Sequence, residues 1–399
     1  MKTVVQKYGG TSVRNKETRS KIIVNANEAI SEGYWPVIVV SAMGRYPEPY
    51  STDKLLSLVP DLAKADPRNK DMISCLGEII TAVIVSEELS AAGLKAAALT
   101  GGQAGIITDT NYGEGNIIDI KTARLQRFIG EGIIPVVAGF QGNDQNGEMM
   151  TLGRGGSDIT ATALGGALNS GLVEIYTDVD GVMTADPNVV SDAQLIDEIE
   201  YEDIFLLAEY GAKVIHPRAV EYAKIANVPV AILNVESSRK GQHTKIATAH
   251  ELQSTTTFSA ITTLTDRSQV DVTFTSLALE DRMFKRMADS GISIDMVNIL
   301  SDHRLFIISS SDKPKLEQVF ASLGVDAAIT DGFTKLSVLG KAYSGVPGIF
   351  AKIIAALYGN DITVYQSTDS SNTISVLIHT EHAERALNLL HEALILSAT

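Results

Sequence analysis

Several residue types are scarce in this 399-residue chain, and each scarcity excludes a class of protein. Cysteine occurs once, at Cys75, so no disulfide can form within the chain and a reducing cytoplasm is the expected compartment. Lys and Arg number 33 against 48 for Asp and Glu, a net charge of −15 that disfavours a nucleic-acid platform. No apolar run approaches the roughly 20 residues of a membrane span, and the first residues resemble a strand rather than a signal peptide. We therefore expect neither a nucleic-acid partner nor a membrane.

The chain is long enough for two or three domains of roughly 100–200 residues each. Up to about residue 235, short apolar segments alternate with amphipathic ones, which favours an α/β domain with a mainly parallel sheet between layers of helices. Inside the second predicted helix, Met72, Leu76, Ile79, Ile80 and Val83 fall on one face. The predicted strands are Trp35–Val40, Ala96–Leu99, Ile133–Ala138, Val173–Tyr176 and Val228–Leu233, and the predicted helices are Glu17–Ile30, Asp71–Ala91, Lys121–Gly130 and Asp158–Leu168.

The C-terminal part contains a weak internal repeat. Ile292-Ser293-Ile294 and Phe306-Ile307-Ile308 match Ile362-Thr363-Val364 and Val376-Leu377-Ile378 at an offset of 70 residues. Each copy has the pattern β-α-β-β followed by a helix, so two small α/β modules in tandem are predicted. The predicted boundaries are an α/β domain over 1–240, a linker rich in Ser, Thr and Gln over 241–265, and modules over 266–335 and 336–399.

The segment Lys7-Tyr8-Gly9-Gly10-Thr11-Ser12 places a lysine and two glycines directly after a short apolar strand. A strand, paired glycines and then a helix allow backbone N–H groups to surround a phosphate, and the lysine adds a positive charge. It is not a Walker A loop, since no G-x-x-x-x-G-K-[ST] occurs in the chain. Taken alone, the pattern also fits a glycine-rich turn with an exposed lysine.

A second glycine-rich loop, Thr151–Asp158, precedes a helix of small residues. Ser157 or Asp158 would cap that helix, leaving N–H groups free to bind an anion. The planar fork of Arg154 suits a carboxylate or a phosphate. The alternative is a capped helix with a surface arginine.

Two further segments allow several interpretations. The acidic run from Tyr176 to Pro187 could be a turn, a metal site or a nucleotide pocket, although it lacks the spacing of an EF-hand. In the run from Gly211 to Arg218, His216 precedes a proline and is expected to be a packed or capping residue rather than a catalyst. Lys213 is the better candidate for a nucleotide contact.

Glu78 lies in an otherwise apolar helical stretch with Cys75, Leu76, Ile79 and Ala82. A buried carboxylate is costly unless it is paired. Either Glu78 reaches solvent, or it receives a cation such as a substrate ammonium. The spacing does not decide between them.

Together these segments resemble the aspartate kinases. Lys7 to Val13 is similar to their K-F-G-G-T-S signature, with tyrosine in place of phenylalanine. The likeness continues in family order over essentially the whole chain, and the C-terminal repeat resembles the tandem ACT domains of the family. The further blocks are Val40–Gly44, Leu76–Glu78, Thr100–Gly105, Arg154–Asp158, Thr177–Pro187 and Gly211–Arg218. The closest likeness is to monofunctional enzymes of Gram-positive bacteria, including the diaminopimelate-sensitive type.

The resemblance implies an amino-acid-kinase fold followed by two ferredoxin-like ACT modules, and phosphorylation of L-aspartate by ATP with Mg²⁺. It implies no tightly bound metal. Lys7, Arg154 and Asp158 would be catalytic, and the effector loop would be Ser344, Gly345, Val346, Pro347 and Gly348. The implied ATP contacts are Lys7, Tyr8, Gly9, Gly10, Ser12, Ser41, Thr177, Asp178, Met183, Asp186 and Lys213. The implied aspartate contacts are Thr52, Glu78, Arg154, Gly155, Gly156 and Ser157.

Two departures from the family pattern stand out: Asn188 replaces an arginine common after Asp-Pro, and the first module lacks the Pro-Gly of Pro347-Gly348. The expected partners are an amino-acid effector (lysine, diaminopimelate or threonine) and a second copy of the chain, in a homodimer or larger oligomer. The competing interpretations are a catalytically silent amino-acid sensor and another kinase of this fold acting on glutamate, carbamate or a nucleotide. An ACT-containing dehydrogenase is disfavoured, since no G-x-G-x-x-G opens a helix.

Overall fold

The structure is a computed structural model that describes residues 2–212, 214–237, 239, 241–252, 259–273, 276–340 and 348–396. The chain divides into two compact units. Unit 1 comprises Met1–Val182, Leu195–Glu209 and Lys213–Thr255, and unit 2 comprises Met183–Gln194, Tyr210–Ala212 and Thr256–Thr399. Across the described ranges, no helix combines the length and the apolar character that crossing a bilayer requires.

Unit 1 alternates strands and helices, as the sequence predicts. Its strands are β1 (Lys2–Tyr8), β2 (Tyr34–Val40), β3 (Ala96–Leu99), β4 (Ile106–Thr108), β5 (Ile117–Ile120), β6 (Ile134–Ala138), β7 (Gln141–Asn143), β8 (Met149–Thr151), β9 (Leu172–Thr177), β10 (Glu198–Glu200), β11 (Val230–Asn234) and β12 (His243–Ala247). Its helices are α1 (Lys16–Ser31), α2 (Thr52–Leu56), α3 (Pro67–Ser74), α4 (Leu76–Ala91), α5 (Ala123–Gly130), α6 (Gly156–Ala167), α7 (Tyr201–Glu209) and α8 (Pro217–Ala226).

An eight-stranded sheet in the order β10-β12-β11-β9-β1-β2-β6-β3 forms the centre of unit 1. Every pairing is parallel except that between β11 and β12. This confirms the predicted mainly parallel sheet. Tyr8 pairs with both Val40 and Tyr176, so β1, β2 and β9 end at the same edge. Ligands of such sheets bind at the carboxyl ends of the strands, which directs attention to this edge.

The helix predicted over Asp71–Ala91 differs from the structure in two respects. It is divided at Cys75 into α3 and α4. The predicted apolar face is also wrong: Met72, Leu76 and Val83 are exposed, while the buried side of α4 carries mainly small or polar residues. Small residues are needed on this side because α4 packs closely against Ala42. A Cβ on Gly77 would lie 2.6 Å from the Cβ of Ala42.

A small sheet in the order β5-β4-β7-β8 leads into the second glycine-rich loop. β7 and β8 form an antiparallel hairpin that pairs Gln141 with Thr151. β8 ends at Thr151, immediately before that loop, so the hairpin sets the loop's starting position.

Unit 2 contains a six-stranded antiparallel sheet in the order β14-β15-β13-β16-β18-β17. Its strands are β13 (Ser259–Thr273), β14 (Asp295–Ile299), β15 (His303–Ser309), β16 (Ala327–Gly340), β17 (Gln366–Asp369) and β18 (Thr373–His379), and its helices are α9 (Leu277–Asp289), α10 (Lys313–Leu323), α11 (Ile349–Tyr358) and α12 (Ala383–Leu394). The repeat appears as two hairpins, β14–β15 and β17–β18, each preceded by a helix.

The segment 241–265, expected to be a linker, differs from that expectation. It contains β12 of the unit 1 sheet and the first half of β13. The predicted effector residues Ser344 to Pro347 lie outside the described residues, whereas Gly348 is described and precedes α11.

The segment Met183–Gln194 belongs to unit 2 although it lies far from the rest of that unit in sequence. Ala185 and Val190 are buried in the cluster that includes Leu336. The hydroxyl of Thr184 lies 2.9 Å from Nε2 of the buried His391 in α12. Met183 and Asp186, predicted to contact ATP, are therefore built into unit 2.

Candidate active site

The glycine turn after β1 lies at the carboxyl edge of the large sheet, as predicted. The N–H of Ser41 donates to the carbonyl of Tyr8 at 3.1 Å, and that of Gly44 donates to the carbonyl of Gly10 at 3.0 Å. A Cβ on Gly10 would lie 2.8 Å from the carbonyl oxygen of Gly44, so glycine is required there. The turn after β2 is thus tied to the turn after β1.

Lys7 and Asp158 meet in the ion pair that defines the site. The Lys7 Nζ lies 2.7 Å from Asp158 Oδ1, and both side chains are largely buried, with about 12% and 14% exposed. Lys7 comes from β1 and Asp158 from the first turn of α6. The interpretation of Lys7 as an exposed turn residue is therefore wrong, because it is held beside a helix N-terminus.

The loop from Gly153 to Gly155 brings α6 to the site. Gly155 precedes the helix with a φ of +68°, and a Cβ there would lie 2.2 Å from the Cβ of His216. Ser157 is buried against Gly139, which follows β6. Arg154 is exposed and makes no hydrogen bond or ion pair with any described residue, so its guanidinium is available to a ligand.

His216 is a capping residue, as predicted. Its Nδ1 accepts the N–H of Arg218 at 3.3 Å at the start of α8. Burial lowers the pKa of His216, and the charge of Asp158 partly opposes that shift. The imidazole is therefore neutral near pH 7 and shapes the loop.

Glu78 is 3% exposed, so the solvent-facing alternative is wrong. Its Oε1 accepts the N–H of Ala42 at 3.0 Å, while its Oε2 has no hydrogen-bond partner among the described residues. Burial raises the pKa of Glu78 from 4.5 to about 8. A buried carboxylate with an unpaired oxygen fits a cationic ligand. Thr52 begins α2 close by, since the carbonyl of Tyr50 faces Gly77.

The side chain of Tyr8, a residue predicted to contact ATP, does not face the site. It is fully buried and stacked on Tyr176, with ring centroids 4.7 Å apart. Side chains alternate along a strand, so Lys7 and Tyr8 point to opposite faces of the sheet. Only the backbone groups of Tyr8 are therefore available to a ligand at the site.

A charged network on the Tyr8 side of the sheet was not predicted. Glu174 of β9 is 1% exposed and accepts from Gln6 at 2.9 Å and from Arg239 at 2.5 Å. Arg239 also pairs with Glu32. The network links the side chains of Gln6 on β1 and Glu174 on β9, and no sequence spacing links its members.

The remaining predicted nucleotide residues are distributed over several segments. Thr177 ends β9 at the same edge as Lys7, and its hydroxyl donates to Asp178 at 3.1 Å. Ser12 is buried, with no hydrogen-bond partner for its hydroxyl among the described residues. In unit 2, Asp186 accepts from both the backbone and the side chain of Asn188 at 2.9 Å. Lys213 lies outside the described residues.

Two residues behind the Arg154 loop were missed. Asp71 of α3 is buried and accepts from Thr151 and Gly113, and Arg218 of α8 donates to the carbonyl of Leu152. Asp71 carried the same signal as Glu78, an acidic residue beside apolar ones in a predicted helix. Arg218 ends the block Gly211–Arg218, but the sequence assigns it no role, since its contacts are 66 residues or more away in sequence.

Comparison with known proteins extends these observations. A family model of the amino acid kinases matches residues 2–234, and a model of the ACT domain matches residues 328–392. Aspartokinase 1 of Bacillus subtilis is 40% identical over the full length of both chains.

Two solved structures of E. coli aspartokinase III share the fold at 22% identity, covering 98% of this chain and 99% of theirs. The R-state complex with aspartate and ADP has a TM-score of 0.80, and the T-state complex with lysine and aspartate one of 0.75.

The fold and the family match define a phosphotransferase of the amino acid kinase class. Within that class the chain belongs to the aspartokinases, aspartate kinases that carry an ACT regulatory region. The resemblance inferred from the sequence motifs is thereby confirmed for the family.

Proposed function

We propose that the Lys7–Asp158 centre transfers the γ-phosphoryl group of Mg-ATP to the side-chain carboxylate of L-aspartate, giving ADP and 4-phospho-L-aspartate. A carboxylate oxygen attacks the γ-phosphorus, and the bond to the bridging oxygen breaks with its electron pair leaving on ADP. An aspartate side chain in water has a pKa near 3.9, so the attacking carboxylate is already ionised at neutral pH and no general base is needed. Catalysis then consists of alignment and neutralisation of charge.

The observation that carries the proposal is the largely buried ion pair between Lys7 and Asp158 at the edge where the glycine turns converge. Lys7 clamps the transferred phosphoryl group, and Asp158 holds the lysine in place. Gly9, Gly10 and Ser12 add backbone and hydroxyl donors, and Ser41 lies beside the phosphates. The N-terminus of α6 contributes its partial positive charge.

Aspartate binds between Glu78 and Arg154. Glu78 receives the substrate ammonium on its unpaired Oε2, and Arg154 binds the α-carboxylate. Thr52, Gly155, Gly156 and Ser157 complete the pocket. The exposed guanidinium of Arg154 and the buried carboxylate of Glu78 support an amino-acid substrate that carries a free carboxylate and a free ammonium.

Thr177, Asp178 and Lys213 contact the nucleotide, and Mg²⁺ enters with ATP as part of the substrate. Aspartokinase III of E. coli has been solved with aspartate and ADP, which supports this use of ATP. The amide of Asn188 holds Asp186 in place of the arginine common in the family.

Regulation follows from the ACT region. An end-product amino acid (lysine, diaminopimelate or threonine) binds at the loop 344–348 and suppresses turnover, as in a diaminopimelate-sensitive isozyme. The lysine complex of E. coli aspartokinase III supports an amino-acid effector. The working form is a cytoplasmic homodimer or larger oligomer.

Trapping of the product tests the proposal. An acyl phosphate reacts with hydroxylamine to give a hydroxamate, so Mg-ATP, L-aspartate and hydroxylamine should yield aspartyl hydroxamate and ADP in equal amounts. Succinate lacks the ammonium and 3-aminopropionate lacks the α-carboxylate, so both should be poor substrates. Equal rates with succinate would contradict the role of Glu78, and equal rates with 3-aminopropionate that of Arg154. ADP release without hydroxamate would contradict the reaction itself.

A further inference from the structure

We infer that Arg218 is a positioning residue for aspartate binding, acting through the backbone of the loop that carries Arg154. Its side chain crosses from α8 to the segment before that loop. Nη1 donates to the carbonyl of Leu152 at 2.7 Å. Nη2 donates to the carbonyl of Gly115 and to Oδ1 of Asn116, both at 3.1 Å.

These contacts fix the loop because they hold two chain segments together at its entrance. The N–H of Gly115 donates to the carbonyl of Thr151 at 2.8 Å, so the segment around Gly115 already pairs with the end of β8. The guanidinium of Arg218 donates to the carbonyl of the next residue, Leu152, and to the carbonyl of Gly115. Charge-assisted bonds from one planar guanidinium fix both position and direction.

Asp71 also holds this entrance. Its Oδ2 accepts the N–H groups of Thr151 at 2.8 Å and Gly113 at 3.0 Å. Asp71 is 3% exposed, so its contacts are largely shielded from water. The loop therefore leaves β8 between an anionic anchor and a cationic anchor.

Beyond the entrance, the loop is packed against α8 on the side of Gly155. Gly153 and Gly155 have φ values of +73° and +68°, and glycine offers no side chain for packing. His216, two residues before Arg218, presses against Gly155 and caps α8. Arg154 lies between these two glycines without a described partner of its own. Its direction is therefore set by the backbone that Arg218 and His216 support.

This inference rests on the proposed binding of the substrate α-carboxylate by Arg154. If Arg218 acts through that residue, Arg218→Ala should raise KM for aspartate roughly tenfold, equivalent to about 1.4 kcal/mol of binding free energy. KM for ATP should stay within twofold, because the Lys7 turn makes no contact with Arg218. A general loss of folding would not produce this split.

The test is steady-state kinetics on the full chain with Arg218→Ala, Arg218→Lys, Arg154→Ala and the double variant Arg154→Ala/Arg218→Ala. Arg124→Ala, an exposed arginine on α5, is the matched control and should behave as wild type. Arg218→Lys keeps the charge but loses the fork, so an intermediate KM is expected. The double variant should show no further rise in KM over Arg154→Ala, since the effect passes through that residue.

Unchanged KM for aspartate in Arg218→Ala, with a raised KM in Arg154→Ala, would overturn the inference and leave the proposed function intact. An additive effect in the double variant would overturn it as well. Unchanged KM in Arg154→Ala would instead reject the proposed α-carboxylate contact. If Arg218→Ala does not fold, Arg218→Lys decides: a wild-type KM for aspartate in that variant would overturn the inference.

Discussion

Lys7 is the residue on which the proposed chemistry depends most. Its ammonium is fixed by Asp158 at 2.7 Å, so its charge is in place before the phosphate arrives. Preorganised charge of this kind needs little rearrangement during the reaction, which is why it lowers the barrier.

Lys7→Ala should therefore lower kcat by about 10²–10³-fold, the usual loss when one preorganised donor is removed. Lys2→Ala, at the exposed start of the same strand, is the control and should leave kcat unchanged. Steady-state ADP release measures both. Turnover of Lys7→Ala within twofold of the wild type would reject the phosphate-clamp role.

Glu78 illustrates how a binding residue can lower stability. Its pKa of about 8 in the folded protein exceeds the 4.5 of a free side chain. Between these values the unfolded chain releases a proton that the folded protein retains, so the free energy of unfolding falls as pH rises. The slope is at most about 1.4 kcal/mol per pH unit.

Glu78→Gln should consequently unfold at a higher temperature than the wild type at pH 8, with little difference at pH 5. The same variant should raise KM for aspartate at least tenfold, because the neutral amide lacks the negative charge that pairs with an ammonium. In the wild type, kcat/KM for aspartate should increase with pH up to about 8, and the variant should lose that increase. Thermal unfolding and kinetics across pH measure these effects, and a wild-type KM in the variant would contradict the assignment.

At the scale of the element, the start of α6 is fitted against α8. Gly155→Ala should displace this helix start, since the new Cβ would lie 2.2 Å from His216. A reduction of roughly tenfold or more in kcat/KM for aspartate is expected, because small misplacements in a site are costly.

Gly33→Ala is the matched control for this variant. Gly33 has a similar positive φ of +85°, but a Cβ added there would meet nothing within 4 Å, so both substitutions strain the backbone and only one meets a neighbour. Thermal unfolding should show a loss in both variants, and a larger one in Gly155→Ala because the contact with His216 adds to the backbone strain. Equal kcat/KM in both would mean that the fit of Gly155 against His216 does not matter for the site.

At the scale of the whole molecule, regulation requires that effector binding favour one of two states, typically with a coupling free energy of about 1–3 kcal/mol. Gly348, at a φ of +97° before α11, is the described end of the predicted effector loop. Gly348→Ala should weaken effector inhibition while leaving kcat without effector unchanged.

Gly291→Ala provides the comparison, since Gly291 has a φ of +67° after α9 and equally open surroundings. Inhibition curves with lysine, diaminopimelate and threonine should shift for Gly348→Ala only. Identical curves for both variants and the wild type would place the effector elsewhere.

The sequence predicted the parts of this molecule that depend on neighbours in the chain. Strands followed by glycine turns placed Lys7 and Asp158 at one sheet edge, and His216 before Pro217 gave the cap of α8. Contacts between segments that are distant in the chain could not be predicted from the sequence, because no local pattern encodes them. Thr184 with His391, Glu174 with Arg239, and Arg218 with Leu152 are all of this kind. Family likeness also does not reveal which face of a strand a side chain occupies, as at Tyr8, whose ring is buried against Tyr176.

The central claim is aspartate-dependent phosphoryl transfer at Lys7, and ADP release by the purified full-length protein tests it most directly. With Mg-ATP, release should saturate with L-aspartate, fall at least about 10²-fold in Lys7→Ala, and be suppressed by one of the candidate amino acids. Release that is indifferent to aspartate would contradict the account. So would an absence of turnover combined with saturable effector binding, which would identify a sensor instead of an enzyme.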